Sequence, residues 1–210
     1  MRFGFAMSPI VALVTAASIA AQQPETGKFV LTQAGTEIGT ERYSRTATTL
    51  EGELRMITGQ RVAYEAKLAA GAVTEMVLRA FLATDTTKPA QTATFRFVGD
   101  SLTLQTTREG EPVRTSLAAP RGTVPFLSPS PVWMLEMVRK ARGAGAGPTT
   151  VPIALLGAPQ EVRLVTVKFS SPTQATLTLS DLDINFTFDA SGGFVQATAP
   201  AQQIVITRGN

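Results

Sequence analysis

From Lys28 to Arg208 apolar and polar residues alternate with a period of two. Such alternation sets one face of each segment on a core and the other in water, as antiparallel sheets do. Leu50, Gly52, Leu54 and Met56 alternate with Glu51, Glu53 and Arg55; Val62, Tyr64, Ala66 and Leu68 alternate with Arg61, Ala63, Glu65 and Lys67. Changes of phase locate the turns. A two-residue turn at Gly99-Asp100 pairs Phe97 with Leu102 and Phe95 with Leu104, and glycine in the first position suits type II′. A turn or bulge at Ser180-Asp181 brings Leu177 and Leu179 onto one face with Leu182, Ile184, Phe186 and Phe188. Ala34-Gly35 joins Phe29–Gln33 to Thr36–Tyr43 and opposes Leu31 to Ile38. Gly71 and Ser191-Gly192-Gly193 mark further hairpins. Val73 to Leu82 is apolar on both faces for part of its length, which predicts a strand covered on its second side.

One segment breaks the pattern. Ser130-Pro131 supplies an N-cap and a proline at the first helical position, Val132 to Arg142 follows, and Gly143 ends it. Trp133, Met134, Met137, Val138 and Ala141 recur on one side at helical spacing. Arg139, Lys140 and Arg142 fall in the last turn, where cations complement the helix dipole. The predicted fold is therefore mainly β. About a dozen short strands form a single large curved antiparallel sheet, a half-barrel or barrel. One amphipathic α-helix covers its open face or plugs its mouth.

The first 20 residues read as a secretory signal peptide. Arg2 is the positive start, an apolar stretch runs to Ile19, and Ser18-Ile19-Ala20 offers small residues for cleavage after Ala20. The expectation is that 1–20 is removed and 21–210 forms a single β-rich domain outside the cytoplasm, periplasmic or secreted. Nothing after Ala21 is long and apolar enough for a membrane-spanning helix.

Composition narrows the chemistry. The chain contains neither cysteine nor histidine, which removes thiol nucleophiles, imidazole bases, zinc fingers and disulfides. The net charge is +3. The sequence pI of about 9.6 follows from that small excess, because with no histidine almost nothing titrates between the carboxylates and the lysines. There is no dense basic stripe, so no nucleic-acid partner is expected. Glu37 and Glu41 lie four apart and alternation puts both on the water-facing side of one strand; Asp181, Asp183 and Asn185 alternate on another. The latter begin like a calcium loop, but Phe186 and Gly192 stand where its glycine and bidentate glutamate belong. No serine-hydrolase, phosphate-loop or dinucleotide motif is present. The expectation is a non-enzymatic protein with no catalytic residue, metal site or cofactor.

What remains is apolar. Phe126, Leu127, Trp133, Met134 and Met137 gather at the helix and its lead-in. Phe126, Trp133, Met134 and Met137 are the candidate ligand-binding residues, with Trp133 expected to border a cavity. The structural alternative is a helix face packed on the sheet. Gly35-Thr36-Glu37-Ile38-Gly39-Thr40-Glu41 with Tyr43, Ser128-Pro129-Ser130-Pro131 before the helix, and Phe188-Asp189-Ala190-Ser191-Gly192-Gly193 before the last strands carry a resemblance. In that order they resemble uncharacterised β-rich domains of the bacterial envelope. Those domains are similar to the curved half-barrels of the periplasmic lipoprotein carriers, which hold acyl chains under a helix. No functional residue of the carriers maps onto this chain. The resemblance implies a binding protein for a lipid or other hydrophobic ligand. The alternative is a structural or interaction module of the envelope with no small ligand.

Overall fold

The computed structural model describes residues 23–85, 87–108, 111–144, 147–156 and 160–209. The proposed export signal lies outside them. Eight strands come first: β1 (Glu25–Gln33), β2 (Thr36–Arg45), β3 (Thr49–Met56), β4 (Arg61–Ala69), β5 (Ala72–Phe81), β6 (Gln91–Val98), β7 (Ser101–Arg108) and β8 (Glu111–Ala118). A short strand β9 (Val124–Phe126) precedes the helix α1 (Pro131–Gly143). Then follow β10 (Thr149–Leu155), β11 (Glu161–Ser171), β12 (Gln174–Leu179), β13 (Leu182–Phe188), β14 (Phe194–Ala199) and β15 (Ile204–Arg208).

The fifteen strands among the described residues belong to one sheet, ordered β8-β7-β6-β5-β4-β3-β2-β1-β15-β14-β13-β12-β11-β10-β9. The chain lays down one half outward from β1, returns through α1, and builds the other half inward to close on β1 through β15. The two ends of the sheet overlap instead of joining. β8 lies near β11, and β9 lies near β5. The sheet is thus an open coil, and α1 sits inside it, packed against β2 and against β9, β10 and β11. No helix among the described residues is long and apolar enough to cross a membrane.

Tight turns set most of the register. Gly99 has φ +60° and the pairs Phe97–Leu102 and Phe95–Leu104 form as the alternation requires. The Ser180-Asp181 turn pairs Leu177 with Ile184 and Leu179 with Leu182. At Ala34-Gly35 both turn residues have positive φ, +48° and +80°, the backbone of a type I′ turn. Beyond that turn the expected register fails. Thr32 faces Glu37 but Leu31 faces Gly39, so Ile38 is an extra, unpaired residue. A bulge of one residue reverses the phase of everything after it. Glu37 therefore faces water while Gly39, Glu41 and Tyr43 turn inward. The two glutamates do not share a face, and Glu41 is fully buried.

Two further features depart from the pattern. β9 pairs with β10 in parallel, because α1 is the crossover between them. And α1 is not a one-sided helix: every residue from Pro131 to Val138 is buried, leaving only the last turn near water. The coil wraps the first two turns on all sides.

One row of the sheet explains how the helix fits. Gly27, Tyr43, Gly52 and Tyr64 are successive cross-strand partners on β1 to β4. Each tyrosine leans over the glycine before it. A Cβ on Gly27 would stand 2.5 Å from the Tyr43 ring, and one on Gly52 would stand 2.2 Å from the Tyr64 hydroxyl oxygen. Glycine is thus required for the rings to lie flat and clear space for α1. Gly52→Ala is expected to destabilise the fold by about 1–3 kcal/mol, the usual cost of overpacking. Urea unfolding checks this; a variant as stable as the parent would contradict it.

Candidate functional site

The inward turn of Glu41 creates the most unusual group in the structure. Its carboxyl has 0% exposure and accepts three hydrogen bonds. Tyr64 Oη donates at 2.8 Å, Ser130 Oγ at 2.5 Å, and the backbone N–H of Val132 at 3.1 Å. Ser130 occupies the N-cap of α1, yet its side chain makes no capping bond. The cap is supplied from outside the helix, by a strand. Burial pushes the Glu41 pKa up to about 7, against the opposing pull of its bonds to Ser130, Val132 and Tyr64. Burial, with the Glu41 charge behind it, raises Tyr64 well above its ordinary value. The Tyr64 ring also packs on Trp133, with centroids 5.2 Å apart.

A second polar chain ties the other end of α1 to the strands. Glu136 accepts from Arg45 Nε at 2.9 Å and from Arg139 Nη1 at 2.7 Å. Arg139 also pairs with Glu25, which accepts from Tyr43 Oη at 2.8 Å. Burial opposes ionisation of Glu25, but the Arg139 charge and the bonds from Tyr43 and Arg139 outweigh it and hold its pKa below the ordinary value. Burial, then the bond to Glu25 and its charge, push Tyr43 up to about 12. The basic cluster at the end of α1 therefore does more than complement the dipole. Arg139 bridges two glutamates, Lys140 donates to the Gly122 carbonyl, and Arg142 lies over the rings of Phe188 and Phe169, 4.5 and 5.2 Å from their centroids.

Beside this chain lies a cavity of about 400 Å³ between the second half of α1 and the inner face of the sheet. Leu135, Val138, Arg139 and Arg142 line it from the helix. Glu25, Phe29, Tyr43, Phe188, Phe194, Arg208 and the Ser191–Gly193 turn line it from the strands. The Phe29 ring stacks on Tyr43 at 5.3 Å and meets Phe194 edge-on at 5.1 Å. The wall is thus mixed: aromatic and aliphatic side chains share it with Glu25 and three arginines.

The four residues singled out from sequence all sit in the core. Phe126, Trp133, Met134 and Met137 are buried and line none of the cavities described. Trp133, expected at a cavity wall, packs on Tyr64, and its indole N–H is buried without a hydrogen-bond partner among the described residues. The cavity draws instead on α1 positions between and beyond them. Sequence reasoning named Glu41 with Glu37 but placed it on the water-facing side; the structure buries it.

No family model and no curated protein matches the chain. Among solved structures it is similar to the crystal structure of a beta-barrel-like protein of domain of unknown function DUF1849 from Brucella abortus. The identity is 12%, the TM-score 0.52, and the match covers 90% of this chain and 96% of that one. At that identity the likeness is one of fold: a β-rich, barrel-like architecture.

The buried carboxyl has a pH signature. In the folded chain Glu41 keeps its proton to about 7, and its ordinary value is 4.5. Between the two, the folded state binds more proton than the unfolded state. The stabilisation is therefore complete below pH 4.5 and is lost as the pH rises to 7. Relative to Glu41→Gln, which shares every other ionisable group, the parent should lose up to about 3 kcal/mol across that window. Urea unfolding of both proteins at pH 4.5 and pH 8 measures it; a pH-independent difference between them would contradict it.

Proposed function

We propose that the protein is an exported, non-enzymatic binding protein that holds a lipid or other hydrophobic ligand between α1 and the coiled sheet. The observation that carries this reading is the cavity. Its volume of about 400 Å³ falls in the range of small-ligand sites, which run from roughly 300 to 1,000 Å³. Phe29, Leu135, Val138, Phe188 and Phe194 form the apolar part of its wall, which a buried alkyl chain would match, beside a polar part that includes Glu25 and three arginines. Export rests on the N-terminal pattern of Arg2, an apolar run and Ala20. The neighbour from Brucella supports the architecture and, by its description, no particular ligand.

A structural or interaction module of the envelope is the rival reading, and one feature favours it. β8 is hydrogen-bonded to β7 alone, and its residues Glu111 to Ser116 are exposed. Such an edge can accept a strand from another protein.

Native mass spectrometry of the protein purified from its own host, with organic extraction of bound material, separates the two. The binding reading predicts a stoichiometric hydrophobic adduct. A ligand-free mass, together with no uptake of a neutral apolar dye such as N-phenyl-1-naphthylamine, would contradict it.

A further inference from the structure

We propose that the ligand of this cavity is an amphiphile with a single anionic group, and that Arg142 and Arg208 hold that group at the rim. The proposal deepens the binding reading and rests on it.

Three arginines line the cavity, but they are not equivalent. Arg139 is neutralised by Glu25 and Glu136. Arg142 and Arg208 have no carboxylate within ion-pair distance among the described residues. The contacts of Arg142 orient it without cancelling its charge: the faces of Phe188 and Phe169, and the Pro172 carbonyl at 3.5 Å. Arg208 is the cross-strand partner of Phe29, so it shares the inward face of that buried ring while its own side chain reaches water. Two acids lie nearby. Glu25 also lines the cavity and is paired with Arg139. Asp189 feels the charge of Arg208 without an ion pair to it, and its carboxylate is turned toward the loop by bonds from the backbone N–H and hydroxyl of Ser191 and from the N–H of Gly193, which orient it and leave it charged.

The turn itself makes room for the cation. Gly192 has φ +84°, and a Cβ there would stand 3.1 Å from Arg142 Nη1. The guanidinium thus lies directly against the turn that forms one side of the cavity. Two guanidinium groups without an ion pair at the water edge, with aromatic and aliphatic side chains behind them, match a molecule with an anionic head and an apolar body. Guanidinium forks are suited to carboxylate and phosphate alike. The head would remain in contact with solvent, where it is least costly to keep charged, and the tail would fill the interior.

The test uses displacement of N-phenyl-1-naphthylamine by three twelve-carbon probes below their micellar concentrations: dodecanoate, dodecyl phosphate and dodecanol. One or both anions should bind about ten-fold or more tightly than the alcohol, the worth of a charge-assisted hydrogen bond or more. Whichever anion binds more tightly tells whether the source is a free fatty acid or a phosphate-bearing lipid. High salt should narrow the difference. In the Arg142→Gln/Arg208→Gln variant the anions should fall to the affinity of dodecanol, whose own binding should not change. Arg142→Lys/Arg208→Lys, which keeps the charge, should retain part of the preference. Equal binding of alcohol and anions by the parent protein overturns the inference and leaves the binding reading standing. So does an anion preference that survives the glutamine variant. If none of the three probes displaces the dye, or the dye itself does not bind, the binding reading falls and this inference with it. The parent protein's own selectivity decides the matter if the glutamine variant does not fold.

Discussion

Glu41 carries a carboxyl group from strand β2 into the interior, where Tyr64, Ser130 and the first turn of α1 converge on it. A buried carboxyl is costly unless its oxygens are hydrogen-bonded, and the N-terminus of a helix leaves N–H groups that need acceptors. Each requirement answers the other. The strand supplies the cap that Ser130 does not, and the helix supplies donors that water cannot reach. This one contact sets where α1 begins along β2. The second half of the helix then falls opposite Arg45 and Glu25, where Glu136 and Arg139 complete the polar chain.

The sheet coils because it is wrapped around this helix. Fifteen strands are more than a flat sheet sustains. A simple barrel would join β8 to β9. Here β9, all of it buried, follows the helix inside, while the exposed β8 stays outside. The Gly27–Tyr43–Gly52–Tyr64 row lets the inner surface come close to α1 without a clash. The cavity is left on the side of β13, β14 and β15, beside the helix's second half. There the fill is aromatic rings and long arginine side chains. The first turns of α1 are packed on all sides, and its last turns face the cavity.

Much of this arrangement was legible from alternation alone. Two-residue turns preserve pairing across a change of phase, so the hairpins at Gly99-Asp100 and Ser180-Asp181 could be registered residue by residue. Ser130-Pro131 and Gly143 marked the helix for equally local reasons. The bulge at Ile38 was not legible, since nothing in its composition distinguishes it from a paired residue. That one unread position hid the burial of Glu41. The parallel pairing of β9 escaped because three residues are too few to show a period. The cavity escaped because Arg142, Arg208 and the Ser191–Gly193 turn are brought together only by the coiling of the whole sheet. The apolar cluster at Trp133 is core, the packing alternative that its helical spacing also allowed.

The central claim is that Glu41 anchors α1 within the coil, and hydrogen exchange of the Glu41→Ala variant tests it most directly. Removing the carboxyl leaves two hydroxyls and one backbone N–H buried without their acceptor, each costing roughly 1–3 kcal/mol. The account predicts that the amides of α1 lose protection selectively, while those of β12, β13 and β14, which carry none of the groups bonded to Glu41, lose less. Unchanged protection of α1, or an equal loss across helix and strands, would contradict it.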